Sequence, residues 1–290
     1  MLRTALLLAL LALVSACSEP STPDPATDPA AEPETVTWDD GEHAPALVLR
    51  VTKPFTEDWD RIRERKVLRV LVSYSRTNFF IAQGRIRGFE AELFHELEKH
   101  LAKSRRKDEP PIRIAFIPHP FEQLIPSLLA GYGDVAAAAL TITPGRSAKV
   151  AFTDPYLTGV DQVLVTHAGA PAVSKWEDLA GKRVHVVAGT SYEESLAEVN
   201  RDLAAAGLAP IVVETFGRGF ATEDVLEMVH SGAISYTVAD RYLAELWAEA
   251  LDGLRIASDV ALRGGDLAWA VRPGNRKLKE MLDGFVAGNR

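Results

Sequence analysis

Short apolar runs alternate with segments of helical spacing over most of the chain. Residues 67–72 form an apolar run of strand length, and within 88–101 the residues Phe89, Phe94 and Leu101 fall on one side of a helix. The same alternation predicts further strand and helix segments, at residues 112–117, 120–130, 135–140, 162–165, 176–179, 184–187, 193–206, 211–214, 223–230, 235–238 and 241–250. The small apolar residues of 135–140 suit a strand that is buried on both faces.

This order of elements predicts the fold class. Strands that alternate with helices form parallel sheets covered by helices. About 220 residues follow the pattern, which is more than one sheet needs, so we predict an α/β protein with two lobes, each a mostly parallel sheet flanked by helices. Residues 121–142 and 223–240 share one succession of helix, glycine turn and strand, as two similar lobes would.

Composition and charge narrow the classes of function. With 47% apolar and 25% charged residues, the 290-residue chain has the composition of a globular protein. Its net charge of -8 argues against nucleic acid as a partner, because phosphate binding needs clustered Lys and Arg. One basic cluster, at residues 103–107, follows a helical segment and is interpreted as a solvated helix end.

The first residues have the features of an export signal. Arg3 supplies a positive start, and residues 5–14 supply an apolar stretch that is too short to span a bilayer. Cys17 is the sole cysteine and follows small residues at 15–16, a pattern that resembles a bacterial lipobox, in which this cysteine is lipidated and becomes the first mature residue. An ordinary signal peptide with an incidental cysteine is the alternative. In lipoproteins of this kind, Ser18 in place of an Asp favours the outer membrane over the inner one.

The segment after this signal is predicted to tether an exported domain. Residues 18–45 are rich in Pro, Ala and acidic residues, which predicts an extended, disordered segment. With a single cysteine, the exported domain has no disulfide and depends on its core. The predicted layout is signal peptide 1–17, tether 18–45, lobe one 46–158 and 264–290, and lobe two 159–263. Two crossing strands, near 156–159 and 261–265, would form the hinge.

Polar side chains follow the predicted strand at 135–140. Thr143 is a good N-cap and Pro144 suits the first position of a helix, so one interpretation is a capped helix with an exposed arginine. The other is an anion site, because a helix N-terminus offers free N–H groups, Thr141 adds a hydroxyl, and Arg146 can grip a carboxylate with two hydrogen bonds. These residues alone leave both interpretations open.

Two more strand ends carry polar groups. After the strand at 184–187 come Thr190 and Ser191 at a helix start, and the strand at 235–238 is followed by Asp240. Each has a purely structural alternative, since glutamates near Ser191 and the carboxylate of Asp240 would serve as helix caps. Ligands of open α/β sheets bind beyond the carboxyl ends of the strands. Taken together, a cation, hydroxyls and an anion at such ends match a zwitterionic ligand.

Three stretches carry a resemblance to a known family. Residues 88–93 (GFEAEL), 121–157 (FEQLIPSLLAGYGDVAAAALTITPGRSAKVAFTDPYL) and 176–196 (WEDLAGKRVHVVAGTSYEESL) resemble the bacterial family 3 solute-binding proteins, which bind polar amino acids. The resemblance covers nearly all of 66–285 and implies a type II periplasmic-binding-protein fold. It implies that Arg146 binds the ligand α-carboxylate and Asp240 the α-ammonium. The assisting residues that it implies are Thr141, Ala139, Gly189, Thr190 and Ser191.

A narrower resemblance concerns residues 221–247. Their sequence, above all Tyr-Thr-Val-Ala-Asp at 236–240, is similar to that of the N-terminal module of membrane-bound lytic murein transglycosylases F. In that group a family 3 module precedes a lysozyme-like domain that cleaves peptidoglycan, and it is thought to regulate that domain by sensing cell-wall peptides. The resemblance implies a regulatory module, with an amino acid or a muropeptide as ligand. The competing role is that of a lipoprotein that delivers an amino acid to an ABC permease.

The chain departs from these patterns at several points. Ala91 and Glu98 lie off the family signature, and the chain ends at 288–290 where relatives continue, so a longer natural product with a transglycosylase domain is an open expectation. The only Glu-Ser pair, at 194–195, lacks the cleft motifs of those enzymes. No esterase, nucleotide or metal motif occurs, so we expect no catalytic residue, cofactor or metal in this chain. We expect a monomer.

Ligand specificity is expected from the loop after the first strand, residues 73–80. Tyr74 and Phe80 could form an apolar wall for the ligand side chain, or they could belong to the core. The sequence therefore predicts a periplasmic, lipid-anchored binding module whose ligand lies between two lobes, and it leaves the ligand open.

Overall fold

The computed structural model describes residues 52–103 and 105–289. The predicted signal peptide, Cys17 and the tether at 18–45 lie outside these residues. Within the described ranges, no helix is long and apolar enough to cross a bilayer.

The strands and helices follow the predicted alternation. The strands are β1 (Val67–Val72), β2 (Phe80–Ala82), β3 (Arg85–Arg87), β4 (Arg113–Pro118), β5 (Val135–Ala136), β6 (Ala151–Phe152), β7 (Leu157–His167), β8 (Arg183–Val187), β9 (Val212–Phe216), β10 (Tyr236–Asp240), β11 (Leu254–Leu267) and β12 (Ala270–Val271). The helices are α1 (Trp59–Arg65), α2 (Phe89–Lys103), α3 (Leu124–Leu129), α4 (Pro144–Ser147), α5 (Ser191–Ala205), α6 (Thr222–His230), α7 (Arg241–Ala250) and α8 (Arg276–Ala287). Short 3-10 helices occupy Phe121–Gln123 and Trp176–Leu179.

The first sheet has the strand order β4-β1-β5-β12-β6. β1 pairs in parallel with β4 and β5, while β12 runs antiparallel to both of its neighbours. Four of the five strands therefore point the same way. Every residue of β1 is buried, including Arg69, which explains why the other five positions of the strand are apolar. The core beside this sheet centres on Trp269, whose ring centroid lies 4.4 Å from that of Phe94.

The second sheet has the order β11-β7-β10-β8-β9 and repeats this plan. β8 pairs in parallel with β9 and β10, and β7 runs antiparallel to both β10 and β11. Again four strands share one direction. The predicted two-lobe α/β fold is thus confirmed, and the predicted hinge regions near 156–159 and 261–265 fall in the long strands β7 and β11 or directly before them.

Three local features differ from the predicted elements. The strand predicted at 135–140 is only two residues long, because the backbone turns at Ala139, which has a φ of 49°. The helix predicted at 120–130 begins with the 3-10 turn Phe121–Gln123 and continues as α3. The hairpin of β2 and β3 was not apparent from periodicity, since strands of three residues are too short to show it.

Candidate functional site

A cavity lies where the carboxyl ends of strands from both sheets meet. Its lining includes Tyr74 after β1, Ala139 after β5, Thr190 after β8 and Asp240 at the end of β10. The cavity has a volume of about 60 Å³. The topology explains the position, because parallel strands leave their free carboxyl ends on one edge of each sheet.

Arg146 enters this cavity as a buried cation, and among the described residues it forms no ion pair, although the charge of Glu194 favours its ionised form. Its side chain sits on α4, which begins at the N-cap Thr143, whose Oγ1 accepts a hydrogen bond from Arg146 N at 3.2 Å. Nη1 donates to the Thr141 carbonyl at 2.9 Å and Nη2 to the Gly189 carbonyl of the other lobe at 2.8 Å. The residue is only 6% exposed, and burial lowers the pKa of its guanidinium.

A second buried arginine of the same lobe has its charge compensated by an ion pair. Arg69 Nη2 lies 2.9 Å from Asp134 Oδ1, and both side chains are fully buried. Among the described residues Arg146 forms no such ion pair, because its guanidinium hydrogen bonds end on backbone carbonyls. A buried cation held only by neutral acceptors is suited to receive an anion.

Asp240 presents the opposite charge from lobe two. It is 5% exposed, and its backbone N–H donates to Tyr192 Oη at 3.1 Å. Within the described part of the chain, its carboxylate oxygen Oδ1 is buried and has no hydrogen-bond partner. Burial raises the pKa of Asp240 to about 7, opposed by the Tyr192 hydroxyl and by the charge of Arg146. A cation bound beside Oδ1 would favour the ionised carboxylate.

Hydroxyl groups connect the two lobes beside these charges. Ser191 Oγ donates to Thr141 Oγ1 at 3.1 Å and accepts from Gln162 Nε2 at 3.0 Å. The hydroxyl of Thr190 is already used, since it donates to the Val187 carbonyl at 2.7 Å. Thr190 therefore lines the cavity without a free hydroxyl proton, whereas Thr141 keeps its own proton available for a ligand.

Ala139 is held in its unusual conformation by Glu90. The Ala139 N–H donates to Glu90 Oε1 at 2.8 Å, and the same carboxylate accepts from Tyr156 Oη at 2.6 Å and Trp269 Nε1 at 2.7 Å. Glu90 is fully buried, and burial raises the pKa of its carboxyl group, opposed by these hydrogen bonds. The N–H of Ala139 is thus occupied, which leaves its carbonyl as the backbone group available to a ligand.

The two aromatic candidates of loop 73–80 lie in different places. Tyr74 lines the cavity and is 53% exposed, so it forms part of the rim. Phe80 lies on β2 opposite Arg87, is half-buried, and is not in the cavity lining. The neighbouring Phe79 is the aromatic residue that enters the core, where its ring centroid lies 5.2 Å from that of Phe116.

Several cavity residues were not identified from the sequence. Phe121, Tyr192, Phe220, Glu223 and Tyr242 all line the cavity. The guanidinium of Arg146 lies 5.7 Å from the centroid of the Phe121 ring, a cation–π contact. Their only sequence signal was position, since each stands at the start of a helix or next to one.

Two sets of contacts join the two lobes. Arg76 of lobe one pairs with Asp224 at 2.6 Å and with Glu227, and its guanidinium stacks 5.1 Å from the Trp247 ring. Thr143 Oγ1 donates to Glu194 Oε1 at 3.1 Å, beside the bond from Arg146 to the Gly189 carbonyl. Among the described residues, no cluster of three metal-ligating side chains is present.

The family model of the bacterial extracellular solute-binding proteins, family 3, matches residues 68–289. The chain belongs to this family. A membrane-bound lytic murein transglycosylase F of Desulfosudis oleivorans is 30% identical over 225 residues, which cover 78% of this chain and 46% of that protein. The ABC transporter arginine-binding protein 1 of Escherichia coli is 26% identical over 210 residues, 71% of this chain and 77% of that one.

Solved structures agree with this membership. An ancestral arginine-binding protein bound to arginine is 26% identical, with a TM-score of 0.64, over 77% of this chain and 92% of that one. Holo ArgBP from T. maritima is 27% identical, with a TM-score of 0.64, and the match covers 80% of this chain and 93% of that one. The chain spans less than half of the first transglycosylase relative, so it is similar to one portion of that protein.

Proposed function

We propose that this family member captures a small zwitterionic ligand, an amino acid or a cell-wall-derived peptide, between its two lobes. One observation carries the proposal: in the described part of the chain, a buried guanidinium that forms no ion pair and a buried carboxylate oxygen that accepts no hydrogen bond line the same cavity. In the proposed complex Arg146 and Thr141 bind the ligand carboxylate, and Asp240 binds its ammonium with help from Ser191. Charge-assisted hydrogen bonds of this kind are strong when water is excluded.

The size of the cavity supports a small ligand. Its volume of about 60 Å³ suits a compact polar group such as an amino-acid head group. Tyr74 stands at the rim, where a side chain or a second peptide residue would pass. The proposed motion is a hinge in β7 and β11, and the contacts of Arg76 to Asp224 would hold the closed form.

The proposed biological role is that of a regulatory module in a system like lytic transglycosylase F. Support comes from the relatives of that name, which match this chain over part of their length. We propose that export and lipidation at Cys17 anchor the module in the periplasm at the outer membrane. If the natural protein is longer, a peptidoglycan-cleaving domain would be its partner, and the module itself would act as a monomer without cofactor or metal.

Delivery of an amino acid to an ABC permease is the second candidate role. The match to the E. coli arginine-binding protein, which spans 77% of that protein, favours it. Gene neighbours would discriminate, because adjacent permease and ATPase genes would support import. A transglycosylase reading frame that includes this module would support regulation.

The binding proposal is tested by calorimetry on Arg146→Ala. A thermal-shift screen of amino acids and cell-wall peptides first identifies a ligand. The variant should lose about tenfold or more in affinity, because a hydrogen bond to a charged group contributes roughly 1.5–3 kcal/mol. Arg183→Ala is a matched control, since Arg183 is an exposed arginine that pairs with Glu214 away from the cavity. Equal affinity in wild type and Arg146→Ala would refute the assignment.

A further inference from the structure

The charges in the cavity do not sum to zero. Its lining holds one guanidinium, that of Arg146, and two carboxylates, those of Asp240 and Glu223. With both carboxylates ionised, the sum is one positive and two negative charges. Because buried charges are costly unless they are compensated, the ligand that closes this cavity best is one that restores neutrality.

Glu223 is as buried as the other two charged groups. It stands in the first turn of α6 and is 2% exposed. Its Oε1 accepts from Ser75 Oγ at 2.5 Å and from Thr77 N at 3.1 Å, both in the loop after β1. Within the described ranges Glu223 has no ion-pair partner, and Oε2 accepts no hydrogen bond, although Arg76 pairs with the adjacent Asp224.

Aromatic rings line the same cavity. Tyr74 and Phe220 contribute from opposite lobes and are both partly exposed, so they stand at the rim, and Tyr242 also belongs to the lining. Aromatic faces attract cations, most strongly where water is excluded. A cavity that combines such rings with a carboxylate lacking an ion pair is an environment for a positive group.

We propose that Glu223 selects a ligand with a second cationic group, that is, an amino acid with net charge +1. This inference rests on the proposed function, in which Arg146 and Asp240 hold the carboxylate and the α-ammonium. A neutral side chain leaves Glu223 uncompensated. An acidic side chain adds a negative charge to those of Asp240 and Glu223, while the ligand's own α-carboxylate is paired with Arg146. The expected order of affinity is therefore basic, then neutral, then acidic amino acids.

The test compares arginine with citrulline, which has nearly the same shape but a neutral side chain. Calorimetry on the wild-type protein should give at least about tenfold tighter binding of arginine, the effect of one charge-assisted hydrogen bond. Lysine and norleucine form a second pair, and glutamate should bind most weakly. The quantity of interest is the affinity ratio within each pair.

Glu223→Gln is the deciding variant. Glutamine keeps an oxygen that can accept from Ser75 and Thr77, so the contact between the lobes survives while the charge is removed. The arginine-to-citrulline ratio should fall to about one. Glu198→Gln is the matched control, because it makes the same substitution at an exposed helical glutamate of α5 outside the cavity lining and should leave the ratio unchanged.

The outcomes separate this inference from the proposed function. A wild-type ratio near one, with both ligands bound through Arg146, overturns the inference and leaves the proposed function standing. An arginine preference that persists in Glu223→Gln overturns the role of Glu223. If none of these five amino acids binds, amino-acid capture fails, and this inference fails with it.

Discussion

The carboxylate of Asp240 should make ligand binding depend on pH in the neutral range. Burial raises the pKa of this group to about 7 in the empty cavity. In the proposed complex the ligand ammonium stabilises the ionised carboxylate, so binding below this pH must release the Asp240 proton. Affinity for an amino acid should therefore rise with pH and level off above about 7.

The magnitude follows from the same pKa. Below it, the ionised fraction of Asp240 falls about tenfold for each pH unit. Affinity should be about 10-fold lower at pH 6 and about 100-fold lower at pH 5 than at pH 8. These ratios correspond to losses of roughly 1.4 and 2.7 kcal/mol in binding free energy. The ligand-free protein has the opposite dependence. Because the folded pKa lies above the unfolded value of about 3.9, the free energy of unfolding decreases as pH rises from about 4 to 7.

Calorimetry in two buffers of different ionisation enthalpy counts the protons. We expect the wild-type protein to release about one proton per bound ligand at pH 5.5 and none at pH 8. In Asp240→Asn we expect no proton release at either pH. Tyr192 and Tyr242 do not interfere, because burial raises their pKa above the usual value of 10, so they stay neutral. Equal affinities at pH 5.5 and pH 8, or the same slope in Asp240→Asn, would refute the reasoning.

Three further predictions concern positioning, closure and anchoring. Glu90→Ala removes the acceptor of three buried donors and should lower the free energy of unfolding by roughly 3 kcal/mol or more in urea titrations, while Glu90→Gln, which keeps an acceptor, should cost less. Arg76→Ala should weaken ligand affinity severalfold and reduce its salt dependence, whereas Lys279→Ala, which loses an ion pair within one helix, should change neither. Cys17→Ser should move the protein from the detergent-soluble membrane fraction to the soluble periplasmic fraction; unchanged fractionation would contradict lipidation.

The order of strands and helices was predictable because each buried strand carries an apolar run and each helix an apolar stripe. Residues 67–72 match β1 to the residue. Several polar residues of the cavity lining were predictable from the sequence for a topological reason. Arg146, Asp240, Thr141, Ser191 and Thr190 were predicted because each lies at or after the carboxyl end of a strand in one of the two sheets, and all five line the cavity.

Other features depend on contacts between distant residues and leave no periodic signal. Glu90 resembles an exposed first-turn acid in the sequence, yet it is buried under Ala139 and Trp269, which are 49 and 179 residues away. Glu223 likewise resembles a helix-start acid, and only the packing of α6 against the loop after β1 buries it. Phe80 was predicted either as a wall of the ligand site or as a core residue. It lies outside the cavity lining, and its neighbour Phe79 enters the core because successive side chains point to opposite faces.

Two opposing contributions act when the lobes meet around the cavity. Contacts such as Arg76 with Asp224 and Ser75 with Glu223 stabilise closure without any ligand. Against them stand the uncompensated charges of Arg146, Asp240 and Glu223, whose desolvation is greatest when the lobes meet. A ligand shifts this balance only through its higher affinity for the closed form, and it gains that affinity by compensating these charges. The same residues would therefore set both which ligand binds and how far binding drives closure.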